Sequence, residues 1–305
     1  MTVMFCLLRT LGDVVLGTTL VHEYRRVHPD AAITWFVNEP YDQLLVGNPD
    51  VAAVRTSSDW AWDALFFEMA RGGWDAVVAP YQMRPEDGLW HQDPATRHQH
   101  LLDFYWRRMG MHDPIIERRS GWLYPSDADR SRAASLVSFD QPRIAVHTTT
   151  GVPTKDWPAF DALVEACRQA GYACVQVGAA ADRRAAGAID LRGKFTLLEL
   201  AAFLGQCAAF VGLDSGVSYM ADAMGCPSVI LQGSTDPVTS GPIGPTVTHL
   251  FAPETGYADC QTVRCHTTCR HERNCITIIT VDQVLDALEP LVARWRSPIP
   301  ILVPR

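Results

Sequence analysis

The chain has 305 residues, which is more than one compact core usually holds and fits two domains of ordinary size. Hydrophobic residues make up 48% and charged residues 20%, a balance typical of folded proteins, so the composition excludes a disordered chain. The formal net charge of −8 argues against general nucleic-acid binding, which needs clustered Lys and Arg to contact phosphates. No stretch approaches the roughly 20 apolar residues of a membrane span, and the apolar start of the chain is typical of a buried strand and not of a signal peptide.

Strands and helices alternate along the first half of the chain. The pattern predicts strands over residues 3–8, 32–37, 51–55 and 76–79, and helices over residues 13–27, 98–110 and 127–137. Near-continuous apolar strands separated by helical segments predict a parallel sheet that is covered on both faces.

A second series of the same kind begins at residue 143. It predicts strands over residues 143–147, 173–177, 209–213 and 228–232, and helices over residues 158–170 and 197–207 and after Gly216. We therefore predict an α/β chain of two doubly wound, Rossmann-like domains, residues 1–141 and 142–301, the second ending in a helix. Ligands of such domains bind at the carboxyl ends of the strands, here across a central cleft. Residues 302–305 match what thrombin leaves from a cleavable tag, and we exclude them from the fold prediction.

A first candidate site follows the first strand, in the segment Arg9-Thr10-Leu11-Gly12-Asp13. Asp13 falls at the start of the predicted helix, where an aspartate commonly caps the backbone N–H groups for about 1 kcal/mol. The same carboxylate would also lie at the carboxyl edge of the sheet, where it can accept a proton from a hydroxyl group. Both interpretations remain open, and only the second requires a carboxylate.

A second candidate site follows the first strand of the second half, between His147 and Trp157. Three threonines (148–150), Gly151 and Lys155 at a junction between strand and helix suit a phosphate group, which helix amino ends already favour. Lys155 would neutralise charge on a departing diphosphate. The alternative is a surface loop that is rich in turn-forming residues.

A third segment, Asp214-Ser215-Gly216, again joins a strand to a helix. Ser215 and Gly216 can offer N–H groups to a phosphate while Asp214 orders the turn; the motif is weak alone but lies at the same sheet edge as the threonine-rich loop. The chain lacks G-x-G-x-x-G after a strand, the P-loop motif and G-x-S-x-G. A nicotinamide dehydrogenase, a P-loop nucleotide hydrolase and a serine hydrolase are therefore disfavoured.

Five motifs in this order and spacing resemble glycosyltransferase family 9, the bacterial ADP-heptose transferases of lipopolysaccharide core assembly. They are Leu11-Gly12-Asp13, Lys155-x-Trp157-Pro158, Leu191-x-Gly193-x-x-Thr196-Leu197-x-Glu199-Leu200-Ala201, Val211-Gly212-x-Asp214-Ser215-Gly216 and Gly233-x-Thr235-Asp236-Pro237. The chain departs from the family at Tyr219, where a histidine is frequent, and its turn over residues 9–11 is shorter than usual.

The resemblance implies a GT-B fold, with the acceptor bound by the first domain and the nucleotide sugar by the second. It also implies that Asp13 is the general base of an inverting displacement, with Lys155 as the second catalytic residue and Asp182 as a ribose contact. The residues expected to bind the donor are Thr149, Thr150, Lys155, Asp182, Asp214, Ser215 and Gly216. No metal or other cofactor is required for this chemistry, because a lysine, hydroxyl groups and helix ends can stabilise the leaving ADP.

The predicted function is transfer of a heptose from ADP-heptose to an acceptor hydroxyl of a saccharide of the lipopolysaccharide-core type. Alternatives are a protein or secondary-metabolite acceptor, another nucleotide-diphosphate sugar, or a sugar-nucleotide-binding protein without turnover. Arg97 and His98 are candidate contacts for an acidic acceptor, although a charged helix face is the more usual explanation for such residues. No nucleic-acid partner is expected. The expected location is the cytoplasm, with contact at the inner face of the membrane left open.

Nine cysteines divide into two groups. Five are scattered through apparent core, which fits a reducing compartment: Cys6, Cys167, Cys174, Cys207 and Cys226. The other four lie in a loop over residues 260–275 with two histidines among them: Cys260, Cys265, Cys269 and Cys275. Four thiolates can hold structural zinc or iron tetrahedrally, but the spacing lacks a C-x-x-C knuckle, so reduced thiols or one disulfide remain alternatives.

Overall fold

The structure is a computed structural model. It describes residues 1–57, 62–80, 99–113, 119–137, 141–251 and 274–294. Within these residues the chain forms two parallel β-sheets. The strands up to residue 78 form the first sheet, and the strands from residue 143 onward form the second.

The first sheet has the strand order β3-β2-β1-β4, with every neighbouring pair parallel. Its strands are β1 (Thr2–Cys6), β2 (Ala32–Asn38), β3 (Ala53–Ser57) and β4 (Ala76–Val78). The helices of this half are α1 (Leu11–Val27), the short 3-10 helix Tyr41–Leu45, α2 (Trp62–Arg71), α3 (Leu101–Arg108) and α4 (Asp127–Leu136). Strand β1 is central and almost wholly buried, as expected for a parallel strand with helices on both faces.

The second sheet has the strand order β10-β9-β8-β5-β6-β7, again parallel throughout. Its strands are β5 (Arg143–Val146), β6 (Ala173–Gln176), β7 (Ile189–Asp190), β8 (Ala209–Leu213), β9 (Ser228–Gln232) and β10 (Val247–Phe251). The helices are α5 (Phe160–Gln169), α6 (Leu197–Leu204), α7 (Gly216–Ala223), α8 (Asn274–Thr277) and α9 (Val281–Val292). Adjacent strands β9, β8 and β5 are followed by the three loops that carry the predicted donor-binding motifs.

The two halves meet through helices. Helix α1 of the first half packs against α7 of the second, and α4 packs against α6. One hydrophobic core runs through this junction, because buried side chains of α1 such as Val15 and Leu16 belong to the same cluster as Val217 and Met220 of α7. The junction therefore positions the carboxyl edge of the first sheet beside the amino end of α7.

The predicted α/β architecture with parallel sheets is confirmed. Strand β7, helix α2 and the 3-10 helix were not predicted, and several elements begin or end a few residues from their predicted bounds. Helix α1 begins at Leu11, two residues earlier than predicted, because Thr10 and not Asp13 occupies its N-cap position. Strand β10 extends the second sheet beyond the last predicted strand. Residues 302–305 and all but the last two residues of the predicted cysteine-rich loop over residues 260–275 lie outside the described residues. None of the helices that the structure describes has the length and apolar character of a membrane span.

Candidate functional site

Asp13 lies in the first turn of α1, just beyond the carboxyl end of β1. Its Oδ2 accepts hydrogen bonds from the backbone N–H of Thr10 at 3.1 Å and from the Thr10 hydroxyl at 2.7 Å. The guanidinium Nε of Arg9 lies 3.6 Å from the same oxygen. The side chain is only 7% exposed. Asp13 is thus the third helical residue of a capping box, which replaces the predicted N-cap role, and its role as a base stays a prediction.

The other oxygen of this carboxylate contacts a residue that the sequence analysis placed only in a helix. The hydroxyl of Tyr105, in α3, donates to Oδ1 of Asp13 at 2.7 Å. Tyr105 is fully buried. In the predicted helix over residues 98–110, Tyr105 shares one side with the apolar residues Leu101, Leu102 and Met109, which favours core packing. No sequence signal indicates that its hydroxyl reaches a carboxylate 92 residues away.

Two side chains from neighbouring loops, the predicted donor contact Lys155 and the motif residue Thr235, bind the same oxygen of Asp214. Lys155 Nζ donates to Asp214 Oδ2 at 2.8 Å, and the hydroxyl of Thr235 donates to the same oxygen at 2.8 Å. The Lys155 and Asp214 side chains are 14% and 6% exposed. The loops after β5, β8 and β9 therefore place a largely buried ion pair at one edge of the second sheet.

A second group at this edge consists of Ser215, His147 and Asp182. The Ser215 hydroxyl lies 3.1 Å from Nδ1 of His147, and Nε2 of His147 lies 3.4 Å from Oδ2 of Asp182. Gly178 allows this approach: a Cβ at residue 178 would lie 2.2 Å from Asp182 Oδ2, and its φ of +125° suits glycine. The sequence pattern gives His147 no role of its own, and the structure places it between Ser215 and Asp182, two candidate donor contacts.

The threonines of the loop after β5 are hydrogen-bonded within this loop and to the segment after β6. The backbone N–H and the hydroxyl of Thr150 donate to Asp156 Oδ1 at 2.8 and 2.9 Å, and the Thr149 hydroxyl accepts from the backbone N–H of Arg183 at 2.9 Å. These bonds fix the shape of the loop. Contact of Thr149 and Thr150 with a phosphate stays a prediction.

Helices α1 and α7 approach each other closely at two glycines near their amino ends. A Cβ at residue 216 would lie 2.5 Å from Cβ of Leu11, and one at residue 12 would lie 2.9 Å from the ring of Tyr219. The Tyr219 hydroxyl accepts a hydrogen bond from the backbone N–H of Gly241 at 2.7 Å. Burial, together with the carboxylates of Asp214 and Asp13, raises the pKa of Tyr219 well above its usual value. Asp13 and the donor-site candidates therefore lie at one junction of the two halves.

Five candidate residues of the sequence analysis lie outside the described residues: Arg97, His98, Cys260, Cys265 and Cys269. The fourth clustered cysteine, Cys275, belongs to α8 and is partly buried. The described part of the chain contains no group of three or more His, Cys, Asp or Glu side chains that could hold a metal ion. The metal hypothesis for residues 260–275 therefore stays a prediction. The five core cysteines are buried and form no disulfide with one another.

Comparison with known proteins gives a family match over about half of the chain. Residues 117–271 match the family model described as glycosyltransferase family 9 (heptosyltransferase). A curated relative, lipopolysaccharide heptosyltransferase 1 of Pseudomonas aeruginosa, is 23% identical over an alignment of 293 residues that covers 79% of this chain and 81% of that protein. The family motifs quoted from the second half lie within the matched residues.

Solved structures share the fold over nearly the whole chain. The ADP-heptose lipopolysaccharide heptosyltransferase II of E. coli is similar with a TM-score of 0.72 and 18% identity, covering 96% of this chain and 99% of that one. TibC, an iron-containing dodecameric glycosyltransferase of enterotoxigenic E. coli, is similar with a TM-score of 0.71 and 17% identity, covering 95% of this chain and 76% of that one. The predicted GT-B fold is confirmed.

Proposed function

The chain belongs to glycosyltransferase family 9, and from this we propose that it transfers a heptose from ADP-heptose to a hydroxyl of a saccharide of the lipopolysaccharide-core type. The observation that carries the proposal is the junction of α1 and α7. There Leu11 and Gly12, the residues that precede Asp13 in α1 of the first half, approach Gly216, which begins α7 of the second half.

The proposed reaction needs a base on the acceptor side and positive charge on the donor side. Asp13 takes the proton of the acceptor hydroxyl, whose oxygen forms a bond to the anomeric carbon of the heptose. The bond from that carbon to the β-phosphate oxygen breaks, its electron pair leaves with ADP, and the configuration at the carbon inverts. Lys155 and the amino end of α7 offset the charge on the leaving diphosphate.

The remaining candidates divide between donor and acceptor. In the proposal Ser215, Gly216, Thr149 and Thr150 contact the diphosphate, with Asp214 holding Lys155. Asp182 contacts the ribose, since it lies at the carboxyl end of β6, next to the strand that leads to the threonine-rich loop. Arg97 and His98 are proposed contacts for an acidic acceptor.

The test of this function is the Asp13→Asn variant assayed with ADP-heptose and a heptose-deficient lipopolysaccharide core saccharide. Asparagine keeps the size of the side chain and an oxygen for the Thr10 bonds but cannot take up the proton. We expect kcat to fall about 10²- to 10⁴-fold, the usual contribution of a positioned base, while ADP binds as tightly as before. Released ADP and product saccharide measure kcat, and calorimetry measures the binding of ADP. Near-normal turnover in the variant would remove Asp13 as the base.

The alternatives are separated by the same assay with other substrates. Turnover of GDP- or UDP-sugars in preference to ADP-heptose would replace the donor, and transfer to a protein would replace the acceptor. Tight ADP binding with no release of ADP from any donor would favour a sugar-nucleotide-binding protein. The reaction as proposed uses no metal, and a zinc or iron ion in residues 260–275 would have a structural role. The proposed location is the cytoplasm, since the buried thiols of the core form no disulfides with one another.

A further inference from the structure

We propose that Tyr105 is a positioning residue for Asp13. Hydrogen bonds from the start of helix α3 to a loop of the donor half fix the position of the Tyr105 hydroxyl. This inference rests on the proposed function, because it concerns the residue assigned there as the base. It adds a residue and a helix to which neither the sequence motifs nor the comparisons give a role.

The two oxygens of Asp13 are held from different parts of the molecule. Thr10, in the capping box of the same helix, holds Oδ2 through its N–H and its hydroxyl. Tyr105 holds Oδ1 from α3 at 2.7 Å. A carboxylate bonded through one oxygen can still turn about its Cβ–Cγ bond, whereas bonds to both oxygens fix its plane. The direction in which Asp13 presents its lone pairs to an acceptor therefore depends on the Tyr105 hydroxyl.

Helix α3 begins on a loop of the second half. The backbone N–H of Leu101 donates to the carbonyl of Thr239 at 2.9 Å, and Nε2 of His100 lies 3.0 Å from the carbonyl of Gly241. His100 is the N-cap of α3, and its Nδ1 accepts from the N–H of Leu102 at 3.1 Å. Because Nδ1 accepts, the proton of the neutral ring is on Nε2, which donates to Gly241.

The loop that anchors α3 also reaches the donor side. It follows β9 and carries Thr235, whose hydroxyl donates to Asp214, the partner of Lys155. Through Asp236 the loop is closed on itself, since the N–H groups of Thr239 and Ser240 both donate to the Asp236 carbonyl at 2.9 Å. Hydrogen bonds, together with the backbone that links Thr235 to Asp236 and Leu101 to Tyr105, thus join the ion pair of the donor half to the phenol that orients the base.

The test compares Tyr105→Phe with the wild-type chain and with Tyr24→Phe, using ADP-heptose and the heptose-deficient core saccharide. Phenylalanine keeps the ring in its buried place and removes only the hydroxyl. We expect kcat to fall about 10- to 100-fold, the loss typical of a hydrogen bond to a charged group, with KM for ADP-heptose and the affinity for ADP unchanged. Tyr24 is a buried tyrosine near the other end of α1, so its variant should keep full kcat.

Two further variants separate the possible outcomes. In the Asp13→Asn background, Tyr105→Phe should cause no further loss of kcat, since Tyr105 acts through Asp13. Leu101→Pro removes the N–H that donates to Thr239 at a helix position where proline is tolerated, and it should lower kcat about 2- to 10-fold.

Full kcat in Tyr105→Phe, together with an inactive Asp13→Asn, would overturn the positioning role and leave the proposed function intact. Full kcat in Leu101→Pro would overturn the anchoring of α3. An active Asp13→Asn would remove Asp13 as the base and with it the positioning role of Tyr105, whereas a wild-type chain that releases no ADP from ADP-heptose would remove the proposed function itself.

Discussion

At the scale of single residues, the ion pair of Lys155 and Asp214 can stabilise the fold, or it can hold Lys155 ready to bind the donor diphosphate. A buried pair with a second donor from Thr235 is a stable structural feature, and removing one partner of such a pair leaves an uncompensated charge. The same lysine is proposed to meet the diphosphate of the donor. A structural role predicts that substitutions change the melting temperature, whereas a role in donor binding predicts that they change the affinity for ADP. One set of variants therefore distinguishes the two roles.

We predict that Lys155→Met lowers both the melting temperature and the affinity for ADP, the latter about 10- to 100-fold. Adding Asp214→Asn removes the unpaired charge, so the double variant should regain much of the lost melting temperature. Its affinity for ADP should stay low, because the positive charge for the diphosphate is still missing. Melting curves and calorimetry with ADP measure the two quantities. Recovery of ADP binding in the double variant would show that Lys155 serves only as the partner of Asp214.

The sequence predicts which polar residues belong to the candidate site, but it does not predict which side chains they contact. Asp13, Lys155, Asp214 and Ser215 follow strands in recognisable motifs, and the structure places them near the junction of the halves. The contact of Tyr105 with Asp13 was not predicted, because an aromatic residue among the apolar residues of a helix usually packs in the core. The partner of its hydroxyl depends on how α3 packs on α1, which local spacing does not encode.

At the scale of secondary-structure elements, the anchor of α3 contains a titratable group. Burial lowers the pKa of His100, and Arg119 acts in the same direction, while the Gly241 carbonyl, Asp103 and Asp214 oppose this shift. In the unfolded chain a histidine has a pKa of about 6.5, so the unfolded state takes up the proton first as the pH falls. The contribution of His100 to stability is therefore complete above about pH 6.5 and is lost as the pH falls toward the lower pKa of the folded state.

We predict that the free energy of unfolding falls more steeply between pH 7.5 and 5.5 in the wild-type chain than in His100→Asn. The difference is at most about 1.4 kcal/mol per pH unit, the effect of one proton. Asparagine retains an acceptor for the N-cap of α3 and does not titrate. Urea unfolding at the two pH values measures the difference. Equal slopes in both chains would show that His100 does not contribute to this pH dependence.

Elements with strong hydrophobic patterns were predicted within a few residues. Strands β8 and β9 match their predicted bounds, because five consecutive buried residues between turn-forming segments leave little choice. Strand β10 was missed because its residues are only partly buried and carry a polar threonine and histidine at an edge of the sheet. Its pairing with β9 depends on the position of the neighbouring strand, which the pattern of a single segment does not contain.

At the scale of the whole molecule, the approach of α1 to α7 sets how the two halves face each other. We predict that Gly216→Ala lowers kcat/KM at least about tenfold, because its Cβ would lie 2.5 Å from both Cβ and Cγ of Leu11 and must push the helix ends apart. Adding Leu11→Gly removes the opposing atoms and should restore part of the activity. Steady-state transfer assays measure both changes.

The matched control for this prediction is Gly205→Ala, in the same half of the chain. A Cβ there would lie 3.3 Å from the terminal methyl of Met224, a flexible neighbour, and the backbone at residue 205 is right-handed helical. Its kcat/KM should change less than about twofold, as for a substitution without strain. An unchanged Gly216→Ala would show that the distance between the helix ends does not limit transfer.

The meeting of two helix amino ends also has an electrostatic consequence. Each amino end carries roughly half of a positive elementary charge, and at Gly216 these ends lie within side-chain contact of one another. The Asp13 carboxylate in the first turn of α1 offsets part of this charge, and the apolar core shared by α1 and α7 must outweigh the repulsion that remains. A diphosphate bound as proposed would act as the common counterion of both helix ends. The bound substrate would therefore strengthen the contact between the two halves, and the release of ADP would weaken it.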